Sequence, residues 1–178
     1  YGDLVIENTI IEIGNSAFAG SDVTTVTILN PSTIIGDYAF ANCENLTKVI
    51  LPINNLVTIK ARSFYNNKSL ESVENLEFVK NVGEYAFAAS GIKTAIIAED
   101  AIYDDGVFYQ AALEEVTIGK NAKFDFAAFQ ECRSLIKVNM PDSGGVHFGE
   151  QCFLNCIQLK TIDLSKTDDT IEKYAFYN

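Results

Sequence analysis

The chain lacks the marks of most catalytic, membrane and nucleic-acid-binding classes. Its 178 residues contain no run of eighteen apolar residues, so nothing in it reads as a membrane-spanning helix. Lys and Arg number 13 against 24 Asp and Glu, a formal net charge of −11, and the basic residues stand singly. Phosphate contact needs clustered Lys and Arg, so nucleic acid is a poor partner, and no basic run suggests an anionic membrane surface. There is no Walker-type phosphate loop, no Gly-x-Ser-x-Gly elbow and no dinucleotide fingerprint, and no cofactor is implied. No Pro/Gly/Ser linker or low-complexity segment interrupts the chain, so residues 1–178 read as one domain. No signal peptide is visible. The chain starts and stops mid-pattern at Tyr1 and Asn178, which gives the expectation of a piece of a longer protein.

What the sequence has in abundance is periodicity. Phe recurs at positions 18, 40, 64, 87, 108, 129, 153 and 176, in steps of 21–24 residues. A period of this size means stacked supersecondary units, about seven full repeats of a solenoid. Five residues before each Phe stands an apolar residue: Ile13, Ile35, Ile59, Val82, Tyr103, Phe124, Phe148 and Ile171. The residue just before Phe is mostly small, as at Ala17, Ala39, Ser63 and Cys152. After Phe the pattern runs L-x-x-V-x-L, as in Leu46, Val49 and Leu51 or Leu113, Val116 and Ile118. Its alternation is that of a strand with one buried face.

These columns predict seven short parallel strands, near 24–28, 47–51, 71–75, 93–97, 114–118, 136–140 and 160–164, in one sheet. The segments around Phe, such as GDYAFANCENL, have apolar residues about a helical turn apart and few β-branched residues. They predict one or two turns of α- or 3-10 helix opposite the sheet, an α/β class overall. Gly14, Gly36, Gly83 and Gly149 share the column four before Phe and predict a tight turn.

The segment Ile35–Pro52, IGDYAFANCENLTKVILP, resembles a unit of the BspA-type leucine-rich repeats, whose pattern is I-G-x-x-A-F-x-x-C-x-x-L-x-x-V-x-L-P. The resemblance extends over essentially the whole chain and is weakest around Tyr103–Phe108. It implies a right-handed leucine-rich-repeat solenoid with a parallel sheet on one face. It also implies a secreted or surface-attached protein, at an extracellular or cell-surface location, and a role in adhesion and in binding host or extracellular-matrix proteins.

Residues that suggest chemistry are mostly explained by their columns. Cys43, Cys132 and Cys156 fall three residues after Phe, where other repeats place Ser21, Asn67, Ser90 and Ala111. Such a column wants a small packing residue, so these Cys read as free thiols, although stacking would bring Cys132 and Cys156 within reach of a bridge. The lone His147 lies near Cys152 in VHFGEQC. A Cys152/His147 pair is a possible nucleophile and base, but Cys152 already belongs to the small column, and an enzyme ranks last among the readings. The Cys152–Cys156 spacing has no second pair to complete a metal site. Asp104-Asp105 and Asp168-Asp169 read as helix caps sooner than as calcium ligands, since no D-x-D-x-D-G loop is present. Asn45 and Asn67 begin N-glycosylation patterns, with Asn67 expected to be partly buried. Tyr38, Tyr85 and Tyr174 share the column two before Phe and are expected to cover their own turns.

The side chains that flank the middle apolar residue of each predicted strand form an ordered array. A protein ligand is expected to contact Lys48, Ile50, Glu74, Ile96, Glu115, Lys137 and Asn139. The leading expectation is a non-catalytic protein-binding module, and the alternative is a structural spacer carrying another domain.

Overall fold

Where Val26, Val49, Val116 and Val138 alternate with more polar neighbours, the backbone is extended and each Val turns into the core. In the computed structural model, which describes residues 2–53, 56–165 and 168–177, this pattern builds a parallel β-solenoid of about eight turns. Among the described residues fifteen strands, numbered in chain order, fall into two sets. The first set comprises β1 (Asp3–Ile6), β3 (Thr25–Ile28), β5 (Lys48–Ile50), β7 (Ser72–Glu74), β9 (Thr94–Ile96), β11 (Glu115–Thr117) and β13 (Lys137–Asn139). The second comprises two-residue strands at the column five before Phe: β2 (Glu12–Ile13), β4 (Ile34–Ile35), β6 (Thr58–Ile59), β8 (Asn81–Val82), β10 (Ile102–Tyr103), β12 (Lys123–Phe124), β14 (His147–Phe148) and β15 (Thr170–Ile171).

Six of the seven expected strands are present, and all pairing is parallel. Three points correct the expectation. Residues 160–164 are not a strand, whereas Asp3–Ile6 is one. The second set forms its own eight-stranded sheet on another side of the coil, where only an apolar column was read. The first set is not one sheet. It divides into β1-β3-β5-β7 and β9-β11-β13.

The α/β class and the helical turns are also overturned. The only helix among the described residues is one 3-10 turn, Leu76–Phe78. Around each repeat Phe the backbone instead alternates its hydrogen bonding. In the second coil the N–H groups of Tyr38, Phe40 and Asn42 donate forward to carbonyls of Ala61, Ser63 and Tyr65. The intervening Ala39 and Ala41 donate back three residues, to Gly36 and Tyr38. The residues two before and two after Phe are left-handed: Tyr38 and Asn42, Arg62 and Asn66, Tyr85 and Ala89, Gln151 and Asn155 all have φ of 53–61°. A left-handed residue every fourth position is incompatible with an α-helix. Its cost is offset because each flip aims an N–H at the next coil, and the turn becomes a third inter-coil ladder.

Each glycine four before Phe opens the expected tight turn, its carbonyl accepting the N–H three residues on, and except at Gly14 the position is also crowded. A Cβ on Gly36, Gly83 or Gly149 would stand 2.6–2.8 Å from backbone atoms of the preceding coil. Inside, the repeat Phe rings stack face to face. Consecutive centroids are 5.0–5.6 Å apart and the planes lie within 13° of parallel. Phe87 is fully buried, and Phe18, with a neighbour on one side only, is partly so.

The column three after Phe proves to be a polar ladder as well as a packing one. Cys43, Cys132 and Cys156 each point Sγ at the carbonyl of the preceding coil's Phe, at 3.2, 3.0 and 3.1 Å. In this column Asn67 donates Nδ2–H to the Phe40 carbonyl at 2.9 Å and accepts the Cys43 N–H at 2.8 Å. Asn67 is wholly buried, deeper than expected, and so poorly placed to accept a glycan, whereas Asn45 is exposed.

Candidate functional site

The two sheets formed by the first set of strands present two outward rows. In register, Thr25, Lys48 and Ser72 form one, and Thr27, Ile50 and Glu74 the other. Beyond β7 the rows resume as Thr94, Glu115 and Lys137, and as Ile96, Thr117 and Asn139. All seven residues proposed from sequence therefore do lie on this face. They do not stand free, however. Lys48 Nζ meets Glu74 Oε1 at 2.6 Å, and Lys137 Nζ meets Glu115 Oε1 at 2.8 Å. Asn139 Nδ2 also donates to Glu115 Oε1 at 2.6 Å and to Thr117 Oγ1 at 3.1 Å. Hydrogen bonds from Lys137 and Asn139 hold the Glu115 carboxyl below the usual carboxylate range. All five polar or charged side chains among the seven are thus tied across strands. Ile50 is half-buried between Thr27 and Glu74, and Ile96 is the exception, 52 % exposed at the edge of β9.

The catalytic candidates do not assemble. Cys152 is buried beside the Phe ladder, and burial pushes the Cys132 and Cys152 thiols well above their ordinary value and Cys156 up to about 12. A nucleophilic thiol needs the opposite shift. His147 lies on the outer side of the second sheet, with Nε2 3.4 Å from Glu172 Oε1. All four Cys are free thiols. The expected result in solution is that the folded chain reacts negligibly with a thiol reagent, and that the chain unfolded without reductant titrates four thiols. Two thiols in that titration would mean a bridge between Cys132 and Cys156.

The paired acids have a different role from the helix capping expected of them, since there is no helix to cap. Asp105 Oδ1 accepts the Phe126 N–H at 3.0 Å, and Asp169 Oδ1 accepts the Val146 N–H at 2.9 Å, so each ties neighbouring coils together. Partial burial, with Asp125, Asp105 and Glu84 nearby, raises the Asp104 carboxyl above its ordinary value. No group of three or more His, Cys, Asp or Glu among the described residues is arranged to hold a metal ion. In the Tyr column Tyr174 meets Tyr177 and Lys173 of its own turn, as expected, whereas Tyr38 and Tyr85 bridge coils. The Arg62 guanidinium lies between the Tyr38 and Tyr85 rings, 5.7 and 5.1 Å from their centroids, and pairs with Glu84 at 2.9 Å. The other side of Tyr85 covers Gly106, where a Cβ would collide with the ring.

Comparison with known proteins agrees with this geometry. The family model of the BspA type leucine rich repeat region matches residues 2–104 and 101–178. The crystal structure of a leucine-rich repeat protein of T. pallidum superposes with a TM-score of 0.76 at 23 % identity, covering 89 % of this chain and 78 % of that one. A leucine-rich repeat protein from Bacteroides ovatus ATCC 8483 superposes with a TM-score of 0.66 at 26 % identity. That alignment covers 91 % of this chain and 48 % of the other, so the chain spans about half the length of that relative. A search of curated proteins finds no match.

Proposed function

The chain belongs to the BspA-type leucine-rich repeat family, and from that premise we propose that it is a non-catalytic protein-binding module whose ligand surface is the outward face of the first-set strands. The observation that carries this reading is Ile96. A large aliphatic side chain, 52 % exposed, stands on this face between the Lys48–Glu74 and Glu115–Lys137 ion pairs. Such a face offers an apolar anchor ringed by pre-formed polar pairs, the arrangement of an interface hot spot. Within each of its two sheets the rows are held by strand pairing, so binding does not first have to order them. In keeping with the family, we place the parent protein at a cell surface or outside the cell, and its partner among host or extracellular-matrix proteins.

The test is a pull-down of surface and matrix proteins with the full-length parent, followed by titration of the recovered partner with wild type and Ile96→Asp. Because Ile96 points away from the core, the variant should fold normally and lose about 2 kcal/mol or more of binding free energy. Salt should weaken binding only modestly. Equal affinity of a folded Ile96→Asp would move the site off this face. The internal pairing of Lys48 with Glu74 and of Glu115 with Lys137 would then favour a spacer, whose surface need only stay solvated.

A further inference from the structure

The first-set strands pair from β1 to β7 and from β9 to β13, and no ladder joins β7 to β9. The cause lies in the fourth coil. Asn75 occupies the column that elsewhere holds Ile28, Leu51, Ile97, Ile118 and Met140. It is left-handed, with φ 66°, and its Nδ2 reaches back to the Leu51 carbonyl at 2.6 Å. The 3-10 turn Leu76–Phe78 follows, and Leu76 fills the core place that Asn75 leaves. The strand is thereby drawn toward the third coil and away from the fifth.

Other features weaken the same junction. Val73 is only partly buried, whereas Val26, Val49 and Val116 in its column are fully so, and the facing residue is the small Ala95. The backbone bond from Lys93 N–H to the Glu71 carbonyl is stretched to 3.5 Å, where the equivalent bond from Glu71 to Thr47 is 2.9 Å. Ala111 holds the ladder position from which Cys43, Cys132 and Cys156 donate to the preceding Phe carbonyl, so the Phe87 carbonyl receives no side-chain donor there. In the fifth coil the buried Tyr103 hydroxyl has no partner. The Phe87–Phe108 step has the widest spacing and largest tilt in the Phe ladder, 5.6 Å and 13°.

The opposite side of the same junction is intact. Tyr85, Phe87 and Ala89 donate to the carbonyls of Asp105, Val107 and Tyr109 at 2.8, 2.9 and 2.7 Å, and β8 pairs with β10 over both residues. The coils are fastened along the turn and second sheet, and loose along the first-set face. We propose that the solenoid is hinged here: it pivots on the turn ladder and opens between β7 and β9. Coils on either side behave as rigid blocks, because each contacts only its neighbours. If the first-set face is the ligand surface, the hinge divides it into two plates. Lys48, Ile50 and Glu74 stand on one, and Ile96, Glu115, Lys137 and Asn139 on the other, so a partner spanning both would fix the angle between them.

The test is native-state hydrogen exchange on the wild-type chain, resolved by residue, and needs neither substitution nor ligand. The Val73 and Ile96 amides should exchange at least ~100-fold faster than those of Val49 and Thr117, which occupy equivalent positions in paired strands. The Phe87 and Ala89 amides should stay as protected as those of Phe64 and Asn66, which make the same bonds one coil earlier. Equal protection of Val73 with Val49, and of Ile96 with Thr117, would overturn the hinge. Exchange of Phe87 and Ala89 as fast as Val73 would overturn it too, since the blocks would then be separating and not pivoting.

Discussion

Phe87→Ala is expected to cost about 3–5 kcal/mol of unfolding free energy, measured by urea denaturation. Phe87 is fully buried, with Phe64 stacked on one side at 5.4 Å and Phe108 on the other at 5.6 Å. Removing it opens a void in a column that has no slack, and both neighbours lose a ring face. In a solenoid the loss should spread to the coils on either side, visible as faster amide exchange around Phe64 and Phe108. Phe18→Ala should cost clearly less, because Phe18 is only partly buried and stacks on Phe40 alone. Equal costs at the two positions would mean that the ring stack is not what holds consecutive coils together.

The Phe column is also where the sequence spoke most clearly. A large aromatic recurring every 21–24 residues has no explanation outside a repeat, and the Val columns placed six strands within a residue or two. Elsewhere the signal was absent or misleading. The second sheet has only two residues per strand, too few for alternation to register. The turn segments mimic a helix because Ala, Phe and Tyr at near-helical spacing look amphipathic. The decisive fact is a left-handed backbone at Tyr38, Arg62, Tyr85 and Gln151, side chains that carry no such signature, since the positions are usually announced by Gly or Asn.

The site was half legible. Outward positions followed from strand alternation, so the seven proposed residues do share a face. Their pairing depended on cross-strand distances that no single repeat contains. The break between β7 and β9 did leave a trace, because Asn75 was the one polar residue in an otherwise apolar column. A lone column mismatch says that something differs. It does not say that a left-handed residue and a 3-10 turn will leave the strand unpaired with the next.

The column three after Phe gives the sharpest contrast between neighbouring substitutions. Asn67→Ala should destabilise the chain by about 3 kcal/mol or more. The Cys43 N–H and the Phe40 carbonyl both take their bonds from the Asn67 amide, and its removal leaves a buried donor and a buried acceptor unpaired, each worth about 1–3 kcal/mol. Ser90→Ala, one coil on in the same column, should be neutral or slightly stabilising, because Ser90 Oγ is buried without a partner and its removal relieves a desolvated hydroxyl. The two changes delete polar atoms from equivalent buried positions, so burial alone predicts similar outcomes for them. Urea denaturation of both decides between the accounts. A small effect for Asn67→Ala would mean that water or a shift of the third coil replaces the amide, and that the ladder is packing alone. A cost for Ser90→Ala as large as that for Asn67→Ala would mean that Ser90 does bond the preceding coil and that the ladder runs unbroken through the fourth.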